Sequence, residues 1–209
     1  MVFLPEQKGN KPPQRSNGRK TRKEKEKTKA QTGNGLMGQE NVLKKKLLLV
    51  RHGKAGPGME DFKRRLSAEG IVDLAHLKHR LPAWASNNPK IVCSPASRTT
   101  DTLRHLFFSN GPETHLKSPE NLLFCRELYG GGPDDYFFCL SREAGLRDII
   151  FIGHNPGITE FANTLGSFRI DNLPEGCALE FEIPVDGDPE KIKGNGEFVA
   201  FYGNKRSVI

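Results

Sequence analysis

Three apolar runs in this sequence stop on groups that a hydrophobic core cannot hold. "LLLVRHG" (47–53) ends on Arg51, His52 and Gly53. "KIVCSPASRT" (90–99) runs into Ser94, Pro95 and Arg98, and "DIIFIGHNPG" (148–157) ends on His154 and a Pro-Gly turn. Short continuous apolar runs bounded by turn residues suit strands buried on both faces. Such strands belong to parallel sheets covered by helices.

The segments between the runs supply the helices. Ser67 is placed to cap a helix over 67–81, with Ile71, Leu74, Leu77 and Leu81 on one face. "SPASRTTDTLRHLFF" reads as a helix with Pro95 near its first position, burying Leu103, Leu106 and Phe107. Further helices are expected over 134–144 and in "PGITEFANTLG", the latter closed by Gly166. Strands are expected at 46–51, 90–94, near 114–117 or 121–124, and in "RDIIFIGH". "ALEFEIP" and "GEFVAFYG" alternate as an antiparallel pair with one face covered. Strands alternating with helices predict an α/β layered domain over 45–209.

Residues 1–44 differ in kind. The first 46 residues hold nine of the chain's hydrophobic residues and carry thirteen Lys and Arg against four Glu, a net charge of +9. The whole chain is +7, so the body is about −2. A disordered basic tail followed by a slightly acidic domain is the expectation. Nucleic acid is then a partner only through the tail, which alternatively serves as a targeting segment or only as solvated chain.

Cys93, Cys125, Cys139 and Cys177 show no zinc-ligand spacing. They read as reduced structural thiols, which suits a cytoplasmic location. No carboxylate or cysteine cluster in the sequence suggests a metal, and no cofactor is expected. No segment reaches the roughly 18 apolar residues of a membrane span, and no secretory leader is evident.

Ligand sites of open α/β sheets lie at the carboxyl ends of the strands. If the three runs are parallel, Arg51, His52, Arg98 and His154 converge there, with Arg65 of "RRLSAEG" near the rim. Arginine forks match phosphate oxygens and stay charged. One histidine can attack phosphorus while the other donates to the developing charge. Arg98 in the first turn of a helix opposes the helix dipole unless an anion compensates.

Taken in order, "RHG", "SPASRT" and "GHNPG" resemble the histidine phosphatase superfamily. The short domain, with "RRLSAEG", "GHNPGITEFANTL" and "IDNLPEGCALEFEI", is most similar to the SixA-type phosphohistidine phosphatases. The resemblance covers roughly 45–205. It implies a three-layer, phosphoglycerate mutase-like fold with a mostly parallel central sheet flanked by helices. It implies that His52 forms a phosphohistidine intermediate, that Arg51, Arg98 and His154 bind the phosphoryl group, and that Arg65 adds a phosphate contact. Glu127 of "CRELYGG" is the candidate acid, with Asp134 and Asp135 behind it.

An alkyl ester must expel an alkoxide and gains about 10²–10⁴-fold from a general acid. Phosphohistidine can leave as neutral imidazole. The expectation is therefore a metal-independent phosphatase acting on phosphohistidine in a partner protein. The alternatives are a small-molecule phosphate monoesterase using Glu127 and an inactive binding module tethered by the tail.

Overall fold

The chain folds around the first of those apolar runs. A computed structural model describes residues 43–81, 88–108, 119–143, 145–185 and 188–203. The basic tail lies outside the described residues except for Leu43 and Lys44, and so does the alternative strand at 114–117.

Strand β1 (Lys44–Arg51) leads through a loop to α1 (Ala68–Arg80) and β2 (Lys90–Cys93). Helix α2 (Ser97–Leu103), β3 (Leu122–Phe124) and α3 (Pro133–Ser141) follow. Then come β4 (Ile149–Gly153), α4 (Gly157–Leu165), β5 (Ala178–Pro184), the short α5 (Pro189–Ile192) and β6 (Glu197–Tyr202). The six strands lie in the order β3-β2-β4-β1-β5-β6. β1 to β4 pair in parallel, while β5 runs antiparallel to both β1 and β6.

Successive residues of a strand face opposite sides, and here both sides are covered. Leu47, Leu49, Val92 and Phe151 pack against Phe137 and Leu140 of α3 and Phe161 and Leu165 of α4. Leu48, Val50, Ile91, Ile150 and Ile152 pack against Leu74 and Leu77 of α1 and Leu103, Leu106 and Phe107 at and beyond the end of α2. The result is three layers, each buried large side chain contributing about 1.5–3 kcal/mol. No helix among the described residues is long and apolar enough to cross a membrane.

Several local expectations are corrected. Ser67 does cap α1, accepting from the Gly70 amide, but Ile71 lies on the exposed side. Pro95 precedes the Ala96 cap instead of entering α2, and the helix widens into a π-turn over Arg104–Phe108. The third helix ends at Ser141, short of 144. Gly166 does close α4 as expected, in an extended conformation (φ −160°). Its glycine is required because a Cβ there would strike the Gly196 carbonyl oxygen. β5 is buried on both faces: Leu179, Phe181 and Ile183 join the core under α3 and α4, while on the other face Ala178 packs with Leu74 and Leu77 of α1 and Glu180 is covered by Lys46 and Tyr202.

The reduced state expected for all four cysteines is also corrected. Cys125 and Cys139 form a disulfide that joins the segment after β3 to α3, while Cys93 and Cys177 remain thiols. Residues 14 apart in sequence carry no local signal of such a pairing.

Candidate active site

Register brings the three motifs together. Arg51 on β1 pairs with Gly153 on β4, and Cys93 on β2 pairs with Ile152. The next residues, His52, Ser94 and His154, therefore leave the sheet at one edge. The His52 and His154 rings come to 5.0 Å between centroids, and both residues are buried.

His52 has a defined tautomer. Nδ1 lies 2.8 Å from the Gly53 carbonyl oxygen, which can only accept, so Nδ1 carries the proton. Nε2 then holds a lone pair, and the Arg98 Nε–H donates to it over 3.2 Å. Burial, then the Arg98 and Arg51 charges, holds the ring down to about 4, so it is neutral at pH 7. The loop is anchored from α2: Thr102 Oγ1 receives the Gly53 amide at 2.9 Å and donates to the Arg98 carbonyl at 2.7 Å.

His154 is held from two sides. Its backbone amide donates to the buried Tyr136 hydroxyl at 3.2 Å, and Nε2 meets Ser94 Oγ at 2.9 Å. Burial holds this ring down to about 3, so it too is neutral. Nδ1 is buried with no hydrogen-bond partner. A serine hydroxyl rotates to suit its neighbour. In the tautomer that keeps the ring proton on Nδ1, Ser94 donates to Nε2.

Arg51 donates from Nη1 to the Leu173 carbonyl (2.7 Å) and to Asn172 (3.3 Å), leaving its buried Nε without a partner. Among the described residues, Arg51 Nε and His154 Nδ1 are the buried side-chain nitrogens in this state. Both belong to residues that the sequence assigns to phosphoryl binding.

The structure separates the other predicted residues. Arg65 is largely exposed and pairs with Asp101 through Nε at 2.6 Å. Its neighbour Arg64 instead reaches Asp61 and the Gly56 carbonyl. Glu127 is exposed, its carboxylate 3.1 Å from Cys125 Sγ. Tertiary folding does gather Cys125, Glu127 and Cys139 within 4.8 Å, a clustering invisible in sequence, but the two sulfurs are bonded to each other.

The carboxylates that do approach Arg98 and His52 went unpredicted. Asp61 takes Arg98 Nη2 on Oδ2 at 3.0 Å and Nη1 on its carbonyl at 2.7 Å. Glu175 lies 3.9 Å from His52 Nδ1. Asp61 is the anion that Arg98's place at a helix start called for, which was the one sequence signal available. Tyr129 donates to Asp61 at 2.8 Å and sets its ring edge-on to His154.

No protein-family model matches this sequence, and comparison with curated proteins finds no match. Solved structures do match. One is assigned as the phosphohistidine phosphatase SixA of Nakamurella multipartitia, at 20% identity, covering 78% of this chain and 97% of that one, with a TM-score of 0.62. A protein histidine phosphatase SixA in complex with tungstate matches at 18% identity, over 76% and 96% of the two chains, with the same TM-score of 0.62. A mycobacterial glucosyl-3-phosphoglycerate phosphatase matches at 14% identity, over 77% and 100%, with a TM-score of 0.54. The described domain has the histidine phosphatase fold, the phosphoglycerate mutase-like architecture that the motifs implied.

Proposed function

We propose that this chain is a phosphatase with His52 as nucleophile, acting on phosphohistidine in a partner protein. The observation that carries the reading is the state of the buried centre. An unprotonated His52 Nε2 sits beside Arg98, and the partnerless Arg51 Nε and His154 Nδ1 are buried at the same sheet edge. Buried donors without partners are costly, and a phosphoryl group offers the acceptors they lack. The likeness to SixA structures supports the same substrate class.

In the first half-reaction His52 Nε2 attacks phosphorus in line, and the bond to the leaving atom breaks. Negative charge on the equatorial oxygens is met by Arg51, Arg98 and His154. The Gly53 carbonyl holds Nδ1–H, so the ring can carry charge while it is phosphorylated. In the second half-reaction water attacks the phosphohistidine, and the electron pair returns to Nε2. The positive charge that this chemistry needs is supplied by the arginines.

The test compares kcat/KM for a phosphohistidine protein with that for a phosphoserine peptide, using His52→Ala as the blank. A ratio well above one, lost in the variant, is expected. A ratio at or below one would move the substrate to esters, and no turnover above the blank would overturn the phosphatase reading.

A further inference from the structure

Asp61 lies across the Arg98 guanidinium from His52. It opens a short turn, Asp61–Lys63, between β1 and α1. The Arg98 guanidinium bridges it to the nucleophile, with Nε on His52 Nε2 at one end and Nη2 on Asp61 Oδ2 at the other. A phosphoryl group that uses Arg98 has His52 on one side. In-line displacement then sends the leaving atom away from Nε2, toward the wall made by Asp61, Tyr129 and Phe62. The two aromatic rings of that wall pack edge to face, 4.9 Å apart.

The carboxylate has room for one more donor. Oδ2 receives Arg98 and Tyr129, and Oδ1 receives Arg64 at 3.2 Å. A carboxylate offers about four acceptor positions, so one on Oδ1 is open. Hydrogen bonds from Tyr129 and Arg98 hold the acid down to about 2, which keeps it anionic at neutral pH. An anion here repels the oxyanion that an ester expels. It attracts a protonated imidazole.

We propose that Asp61 is a specificity-determining residue that selects phosphorus–nitrogen bonds by pairing with the cationic ring of the phosphohistidine substrate. This rests on the phosphohistidine reading above. The substrate ring carries the phosphoryl group on one nitrogen and a proton on the other. His52 Nε2 forms a bond to phosphorus as the substrate's P–N bond breaks, and that bond's electron pair stays on the ring nitrogen. The ring keeps the proton that Asp61 holds and leaves as neutral imidazole. No separate acid is required, which matches the placement of Glu127 against Cys125.

The test is Asp61→Asn, which keeps the side chain's shape and its acceptor toward Arg98 while removing the charge. Wild type and variant are assayed on a phosphohistidine peptide and on p-nitrophenyl phosphate. Loss of a charge-assisted hydrogen bond should lower kcat/KM for phosphohistidine about tenfold more than kcat/KM for p-nitrophenyl phosphate, since both substrates share the contact between Asp61 and Arg98. An equal loss on both substrates would make Asp61 a positioning residue for Arg98 and overturn the inference. So would an unchanged phosphohistidine rate. A wild type that shows no preference for phosphohistidine would remove the underlying reading as well, whereas a preference that survives in Asp61→Asn removes this inference alone.

Discussion

Consider Ser94→Ala, which deletes one oxygen from the centre of the site. Ser94 is fully buried, and its Oγ is 2.9 Å from His154 Nε2. A neutral–neutral hydrogen bond is worth about 1 kcal/mol net, and orphaning a buried ring nitrogen costs about 1–3 kcal/mol. Stability should therefore fall by about 1–2 kcal/mol. The bond that Ser94 donates to Nε2 exists only in the His154 tautomer with its proton on Nδ1, so its loss shifts the tautomer ratio against that form by up to roughly 5–30-fold, since 1.4 kcal/mol is tenfold. kcat should drop by no more than that factor. His154→Ala, which removes the donor itself, should cost about 10²–10³. The assay is kcat on an activated phosphate ester, with ¹⁵N chemical shifts of the His154 ring to report the tautomer and thermal unfolding to report stability. Wild-type kcat in Ser94→Ala, with Nδ1 still protonated, would refute the argument that the serine hydroxyl sets the tautomer.

Acid should destabilise the domain earlier than carboxylates alone would predict. His52 and His154 are held down to about 4 and about 3, below the roughly 6.5 of an unfolded histidine. The unfolded chain therefore binds the extra protons, so stability is complete above pH 6.5 and falls as pH drops toward 4, by roughly 2 kcal/mol per ring at pH 5. Imidazole resonances that do not titrate between pH 5 and 8, with a falling urea midpoint over pH 6.5 to 5, are the expected result. Thiol titration of the unfolded, unreduced chain should find two thiols, Cys93 and Cys177, and four after reduction. Gly157→Ala should destabilise by several kcal/mol and misplace His154, because the new Cβ falls on the Gly131 carbonyl oxygen where α3 approaches α4; circular dichroism melting with a kcat measurement checks both effects.

Much of this site could be read locally. Arg51, His52 and His154 stand at strand ends after apolar runs, Arg98 stands in the first turn of the helix after β2, and the strand-to-helix rhythm makes those runs parallel. The neighbours that tune them were not readable in the same way. Asp61 sits in "GMEDFKRR", where a carboxylate among exposed charges looks like any solvated loop residue. Ser94 looks like a turn residue, and nothing local says that its hydroxyl meets a ring 60 residues away. Arg64 and Arg65 are adjacent and chemically identical, so only the path of the backbone decides which one turns toward Asp61 and which toward Asp101. Ile71 fits the helical stripe but lies at its margin, where packing and not period sets exposure.

By itself, the sequence determined the α/β layering, the strand ends at which Arg51, His52 and His154 stand, and the pairing of Ser67 with the start of α1. These follow from side-chain periodicity and capping, which act over a few residues. Only the tertiary structure decided that β4 inserts between β1 and β2, that Cys125 meets Cys139, and that Asp61 and Ser94 govern Arg98 and His154. Those contacts join segments distant along the chain. Their geometry is set by strand register and by the packing of helices on the sheet, not by local pattern.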